Sequence, residues 1–88
     1  MSSQDTEARI TEKLNEIFRF VFDDESIEVS RKTSAADIEA WDSLTHITLI
    51  SEVEDTFGMK FFMKEVVGMK NVGEMIDIIA QRAKPGRI

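Results

Sequence analysis

Asp42, Ser43 and His46 are the residues whose types and spacing invite chemistry, a carboxylate, a hydroxyl and an imidazole close together in the chain. Ser43 and His46 stand three apart and would be neighbours on a helix surface, as a nucleophile and its base must be. Hydrolysis would also require an orienting carboxylate behind the imidazole and preorganised oxyanion donors. The chain has no Gly-x-Ser-x-Gly elbow, and 88 residues leave little room for a substrate cleft. His46 is therefore expected to face solvent. Two readings of Ser43 stay open on these residues alone. It is an ordinary helix-start residue, or a hydroxyl exposed at a helix start where another enzyme can modify it. The dipole and unpaired amides at such an end stabilise an exposed phosphate by about 0.3–1 kcal/mol.

The elements that position these residues are helical. Ile10, Leu14, Ile17, Phe18, Val21 and Phe22 recur at intervals of three and four, predicting a helix over about 5–22 with one buried stripe. Asp5 and Glu7 suit its positive end. A second stripe, Leu44, Ile47, Ile50, Val53 and Phe57, predicts a helix that Asp42 or Ser43 caps and Gly58 ends. Leu44 is expected to pin its first turn to the core, and Leu49, offset from the stripe, either to lie exposed beside it as a docking anchor or to pack there partly buried. A third run, Asn71 to Ala83, opens with Asn and Glu in a variant capping box, buries Met75, Ile76, Ile79 and Ala80, and stops at Pro85-Gly86. Residues 62–69 predict a short helix with Met63, Val66 and Val67 inward. Residues 23–42 are long enough for a loop to need internal order, which Ile27, Val29, Ile38 and Trp41 can anchor around a helical turn at Ala35–Glu39 capped by Ser34. The sum is an all-α four-helix bundle in a single domain, 1–88, with a compact core over about 5–83 and a frayed tail over 84–88.

Composition narrows the function. With no cysteine, disulfides, thiolate metal sites and a cysteine nucleophile are excluded. Residues 1–55 carry 14 acids and 5 bases, residues 56–88 carry 3 acids and 6 bases, and the net charge is −6. A chain so dominated by acids repels nucleic acid and anionic membranes and attracts basic partner patches. No segment reads as a membrane span or secretory signal, so the expected setting is cytoplasmic, without membrane insertion. Asp23-Asp24-Glu25 lacks the glycine and the terminal glutamate of a calcium loop, and the five methionines read as core filler, so no metal site is expected.

The segment from Trp41 to Phe61, WDSLTHITLISEVEDTFGMKF, resembles the prosthetic-group segment of acyl and peptidyl carrier proteins. The resemblance rests on Asp42-Ser43-Leu44 at the start of the second helix, Glu52-Val53-Glu54-Asp55 in its later turns, Phe57-Gly58 at its end and the ungapped spacing on to Val72 and Ile76. It spans roughly residues 5–82. It implies that Ser43 carries 4'-phosphopantetheine as a phosphodiester and that the arm's terminal thiol holds an acyl group as a thioester. The chain itself would then perform no bond chemistry and would not be an enzyme. The implied partners are a phosphopantetheinyl transferase, an acyl-loading ligase or acyltransferase, and downstream synthase or transferase enzymes, all served by a monomer.

Around Ser43 the resemblance implies recognition by Asp42, which also suits capping, and by Leu44, Thr45, His46, Thr48 and Leu49. Trp41 either lines the path of the arm or anchors the loop. In carriers of primary fatty-acid synthesis the first exposed turns of that helix hold acids. Here Thr45, His46 and Thr48 stand in their place, with Lys60, Lys64 and Lys70 further on. This departure points to a specialised lipid, polyketide or related pathway. An aminoacyl or peptidyl carrier is the alternative within the class, and a helical interaction module without cofactor the alternative outside it.

Overall fold

A computed structural model describes residues 3–88, with side chains from Thr6 onward; the charge placed at Asp5 lies outside the described side chains. Helix α1 runs Ser3–Val21, α2 Ser43–Phe57, α3 Met63–Gly68 and α4 Val72–Arg82, with single 3-10 turns at Ala35–Asp37 and Pro85–Arg87. No strand occurs among the described residues. The all-α bundle of three longer helices and one short one is thus the fold. Helix α1 packs against both α2 and α4, and the core lies between them.

The stripe of α1 is as its periodicity requires: Ile10, Leu14, Ile17 and Phe18 are buried, with Val21 and Phe22 packed at the edge. Asp23 ends the helix in the left-handed region at φ 51°, which an aspartate tolerates better than a branched residue would. On α4, Val72, Met75, Ile76 and Ile79 are buried, but Ala80, expected inward, faces solvent.

The phase of α2 differs from the expectation. Its buried residues are Leu49, Ile50, Val53 and Phe57, whereas Leu44 and Ile47 are 81% and 59% exposed. The apolar arc of α2 is wider than its core-facing side, so spacing alone admits two stripes. Ile50, Val53 and Phe57 of the expected stripe are buried, and the geometry adds Leu49 in place of Leu44 and Ile47. Helix α3 departs similarly: Val66 alone is buried, while Met63 and Val67 are 73% and 78% exposed. Six residues make fewer than two turns, so one side of α3 reaches the core and the other cannot.

The long connection between α1 and α2 is ordered by polar groups on the helices. The Val29 N–H donates to Asn15 Oδ1 at 2.6 Å, and Arg19 Nε donates to the Ile27 carbonyl at 2.8 Å. Ser34 precedes the 3-10 turn, and its N–H donates to Asp37 Oδ2 at 2.9 Å. The loop in turn completes α4. The N–H groups of Val72 and Gly73 donate to the carbonyls of Thr33 and Arg31 at 2.8 and 2.9 Å, and Asn71 Oδ1 accepts from Glu74 N–H at 3.0 Å. Three otherwise unpartnered donors of the first turn are satisfied in this way. The approach is close enough to require Gly73, since a Cβ there would stand 2.9 Å from the Arg31 carbonyl oxygen. Glu74, expected to complete a box with Asn71, instead accepts from the Lys70 N–H.

Gly58, at φ 62°, ends α2 in the left-handed region. The tail for which fraying was expected, 84–88, lies over that end. Lys84 N–H donates to the Phe57 carbonyl at 3.0 Å and Arg87 Nη1 to the Asp55 carbonyl at 2.7 Å.

The phase of α2 makes a stability prediction. Leu49→Ala should cost about 2–5 kcal/mol, as for other large-to-small core truncations. Leu44→Ala and Ile47→Ala should stay within about 0.5 kcal/mol of wild type, as surface substitutions do. Urea unfolding of the three variants checks this, and the reverse order would restore the stripe that spacing alone favoured.

Candidate functional site

Ser43 is the first residue of α2, and its position follows from how that helix begins. Asp42 is extended at φ −117°, and its Oδ1 accepts from the N–H groups of Leu44 and Thr45 at 3.0 and 2.9 Å. Thr45 answers: its Oγ1 accepts from the Asp42 N–H at 2.8 Å, closing a reciprocal capping box. Bonds from the Thr45 main-chain N–H and hydroxyl, and from Leu44 N–H, hold the Asp42 carboxyl below its ordinary range. Asp42 is therefore a structural cap, and Thr45 a half-buried member of it. The amides expected to meet a phosphate at this end are largely taken by Asp42. Ser43 is itself exposed, and no hydrogen bond among the described residues ties its Oγ.

His46 does not face solvent. It is half-buried, and both ring nitrogens are engaged: Trp41 Nε1–H donates to Nδ1 at 3.0 Å, and Nε2 lies 2.9 Å from the Val66 carbonyl. An indole N–H can only donate, so Nδ1 accepts and Nε2 carries the proton given to Val66. With neither nitrogen left for Ser43, the imidazole cannot serve as its base. Its role is positional, because the Val66 carbonyl is among the last of α3, where the helix offers no donor. Trp41 is buried, edge-on to Phe18 with ring centroids 5.3 Å apart, so it anchors the loop and at the same time orients His46.

A second set of contacts fixes the other side of α3. Arg82 on α4 grips Glu65 with two bonds of 2.5 and 2.7 Å, and its guanidinium lies 4.5 Å from the centre of the Phe62 ring. Glu65 also accepts from the Phe62 N–H at 2.8 Å, ahead of the first turn. The Arg82 bonds, then the Phe62 N–H, hold the Glu65 carboxyl below its ordinary range. Between α2 and the α3 so placed lies an open cavity of about 460 Å³, lined by Trp41, Ser43, His46, Ile47, Met63, Val66, Val67 and Met69, with Lys70 and Asp42 contributing charge. Its surface is mainly apolar, and the Ser43 hydroxyl stands in its wall.

Of the predicted site residues, the structure brings Asp42, Ser43, Thr45 and His46 together at one end of α2, with Leu44 and Thr48 exposed beside them. Leu49 is fully buried and cannot be a docking anchor; Leu44, expected in the core, takes the exposed position. Sequence reasoning missed Met63, Val67 and Met69 as parts of the cavity wall. Their signal is an apolar run too short to bury both its faces.

The site defines a class: a small helical bundle presenting one untethered hydroxyl at a capped helix start, beside an apolar cavity. Neither protein-family models nor curated proteins match the chain. Among solved structures, a holo acyl carrier protein from Geobacter metallireducens is 46% identical over 82% of this chain and 83% of its own, with a TM-score of 0.77. The chain belongs to the acyl carrier protein family.

Two predictions follow from these contacts. His46→Ala leaves the buried Trp41 N–H and the Val66 carbonyl without partners, and should cost about 1–3 kcal/mol in urea unfolding. A loss near zero would show that water replaces the imidazole in both bonds. For Asp42 and Glu65 the folded state lowers the pKa, so each contributes stability above its ordinary value, 3.8 or 4.5, and loses it as pH falls through the lowered one. The urea midpoint should therefore fall on acidification below those values. Asp42→Asn and Glu65→Gln should each flatten the fall, and unchanged slopes would show that these contacts do not set it.

Proposed function

We propose that this chain carries acyl intermediates as thioesters on a 4'-phosphopantetheine arm joined to Ser43, and delivers them to partner enzymes without catalysing a reaction itself. The observation that carries the reading is Ser43 itself, exposed, with its Oγ free of hydrogen bonds among the described residues, and set in the wall of an apolar cavity at the start of α2. The similar structure is described as a holo acyl carrier protein, which supports the same cofactor here.

The residues fit such a group. The Ser43 Oγ is reachable for ester formation, and a base belonging to the phosphopantetheinyl transferase takes its proton, since His46 is committed elsewhere. When bound, the group supplies a terminal thiol that holds the acyl chain. The cavity walls of Ile47, Met63, Val66 and Val67 give apolar shelter to the arm or to the first carbons of its cargo. An arm starting at Ser43 meets the Asp42 carboxylate instead of open amides, so specificity for its attachment comes from the transferase. No group of three or more metal-ligating side chains occurs among the described residues, and magnesium belongs to the transferase side of the reaction. No helix of the described residues is long and apolar enough to cross a membrane. The role proposed is that of a cytoplasmic monomer in a specialised lipid, polyketide or related pathway, served by a loading ligase or acyltransferase and by downstream synthases.

Incubation with a broad-specificity transferase and coenzyme A should add one phosphopantetheinyl group, read by intact-protein mass. Ser43→Ala should add none while keeping its helical circular dichroism. Modification of Ser43→Ala, at Ser34 or Ser51 for example, would overturn the assignment of the site.

A further inference from the structure

The imidazole of His46 makes two bonds that only its neutral form can make together. Trp41 Nε1–H donates to Nδ1 at 3.0 Å, and Nε2 donates to the Val66 carbonyl at 2.9 Å. The chain has one histidine and one tryptophan, and they form this pair. A proton gained by the ring goes to Nδ1, the nitrogen without one, and both ring nitrogens are then donors. An indole can only donate, so two N–H groups would face each other across 3.0 Å.

One ring then turns, and the surroundings decide which. Trp41 is buried, edge-on to Phe18 with ring centroids 5.3 Å apart and tilted against Phe22 at 6.2 Å. His46 is half-buried and borders the open cavity beside Ser43. The imidazole is therefore the ring that moves. Half a turn about its Cβ–Cγ bond sets Cδ2–H against the indole, but the same turn replaces Nε2 by Cε1 opposite Val66. Relieving the clash with Trp41 thus costs the tie between α2 and the end of α3.

The charged groups around the ring come from two elements. Asp42, at the start of α2, lines the same cavity and attracts an imidazolium turned into it; Lys70, after α3, lines it too and opposes the turn. Lys64 and Glu65 of α3 border the second cavity, with Glu74 of α4. Towards α1 the pair meets Phe18 and Phe22, which carry no charge. The other tie on α3 responds to a different range of pH. Arg82 holds the Glu65 carboxyl below its ordinary 4.5, so that clasp stays charged over about pH 5–8, where histidine changes its charge. Val66 is the one buried residue of α3, so little apolar contact opposes a movement of its end.

We propose that His46 is a pH-operated tie on α3: charging its imidazole breaks the bonds to Trp41 and Val66, and the Val66–Met69 end swings from α2 about the clasp of Arg82 on Glu65, opening the cavity beside Ser43. This goes beyond the carrier role and does not depend on it, because every atom involved belongs to the chain without an arm. The switched element is α3, and the change that biases it is a single proton at Nδ1.

The test titrates the full-length, nitrogen-labelled chain without an arm from about pH 8 to about pH 5. The ring nitrogens of His46, the indole N–H of Trp41 and the amides of Val66, Val67, Gly68 and Met69 should shift with one midpoint, while the amides of Phe62 and Glu65 stay in place. Protection of the indole N–H from exchange, corrected for the pH dependence of free indole, should fall at least about fivefold across the transition. His46→Gln, whose amide can accept from the indole and donate to Val66 without gaining charge, should abolish the transition. Trp41→Phe removes the opposing donor, so a charged ring can keep Val66; its His46 should still titrate, with the α3 shifts lost. Amides of α3 that ignore the His46 midpoint, a transition that survives His46→Gln, or undiminished α3 shifts in Trp41→Phe would overturn the proposal. Equal shifts at Phe62 and Glu65 would refute the hinge. Should either variant fail to fold, coincidence or separation of the midpoints in the wild-type chain decides.

Discussion

The Ser43 end of the molecule depends on the reciprocal cap between Asp42 and Thr45. A helix start has donors with no partner inside the helix, and some group must take them up. Here the residue before the serine does so, and the residue two after it locks the cap by accepting the Asp42 N–H. With both neighbours so engaged, Ser43 is held in place by its main chain alone, and its hydroxyl needs no partner. Packing of α2 on α1 sets the rotation of the helix so begun, so that His46 reaches α3 and Leu44 and Ile47 do not reach the core.

Helix α3 is the element least able to stand by itself. Six residues are far short of a helix that persists in isolation, and only Val66 is buried. Its position is imposed from outside, by His46 on the carbonyl of Val66 and by Arg82 on Glu65 and Phe62. These contacts come from two helices, so the cavity between α2 and α3 is as wide as their joint geometry makes it. Losing either contact leaves an apolar helix hinged at one side. Since the Trp41 indole sets the hydrogen-bonding pattern of His46, a loop residue far from α3 in sequence also helps to hold it.

The bundle and the helix start at Ser43 were legible in the sequence because they rest on local signals. Periodic apolar residues, an Asp before a helix, a Gly after it and a tripeptide at a helix start each act within a few positions. What was not legible rests on rotation and distance. Ile50, Val53 and Phe57 belong to the core on either phase, and only the packing of α2 on α1 chooses Leu49 over Leu44 and Ile47. The engagement of His46 depends on a carbonyl 20 positions away, and no residue type announces a carbonyl. The capping of α4 by the main chain of Arg31 and Thr33 is silent for the same reason; only Gly73, which that approach requires, leaves a trace.

The exposed apolar residues have no explanation in folding. Fully burying a Leu, Ile, Val or Met side chain contributes about 1.5–3 kcal/mol, against a total stability of about 5–15 kcal/mol for a small domain. Leaving Leu44, Ile47, Met63 and Val67 in solvent forgoes a sum comparable with the whole. The core shows that the chain packs tightly where packing is the purpose, with Ile10, Leu14, Phe18, Leu49, Val53, Phe57, Val72, Met75 and Ile79 fully enclosed. These exposed residues flank the one hydroxyl that the helix start leaves untethered, on the side from which, under the proposed carrier role, an enzyme serving Ser43 would approach.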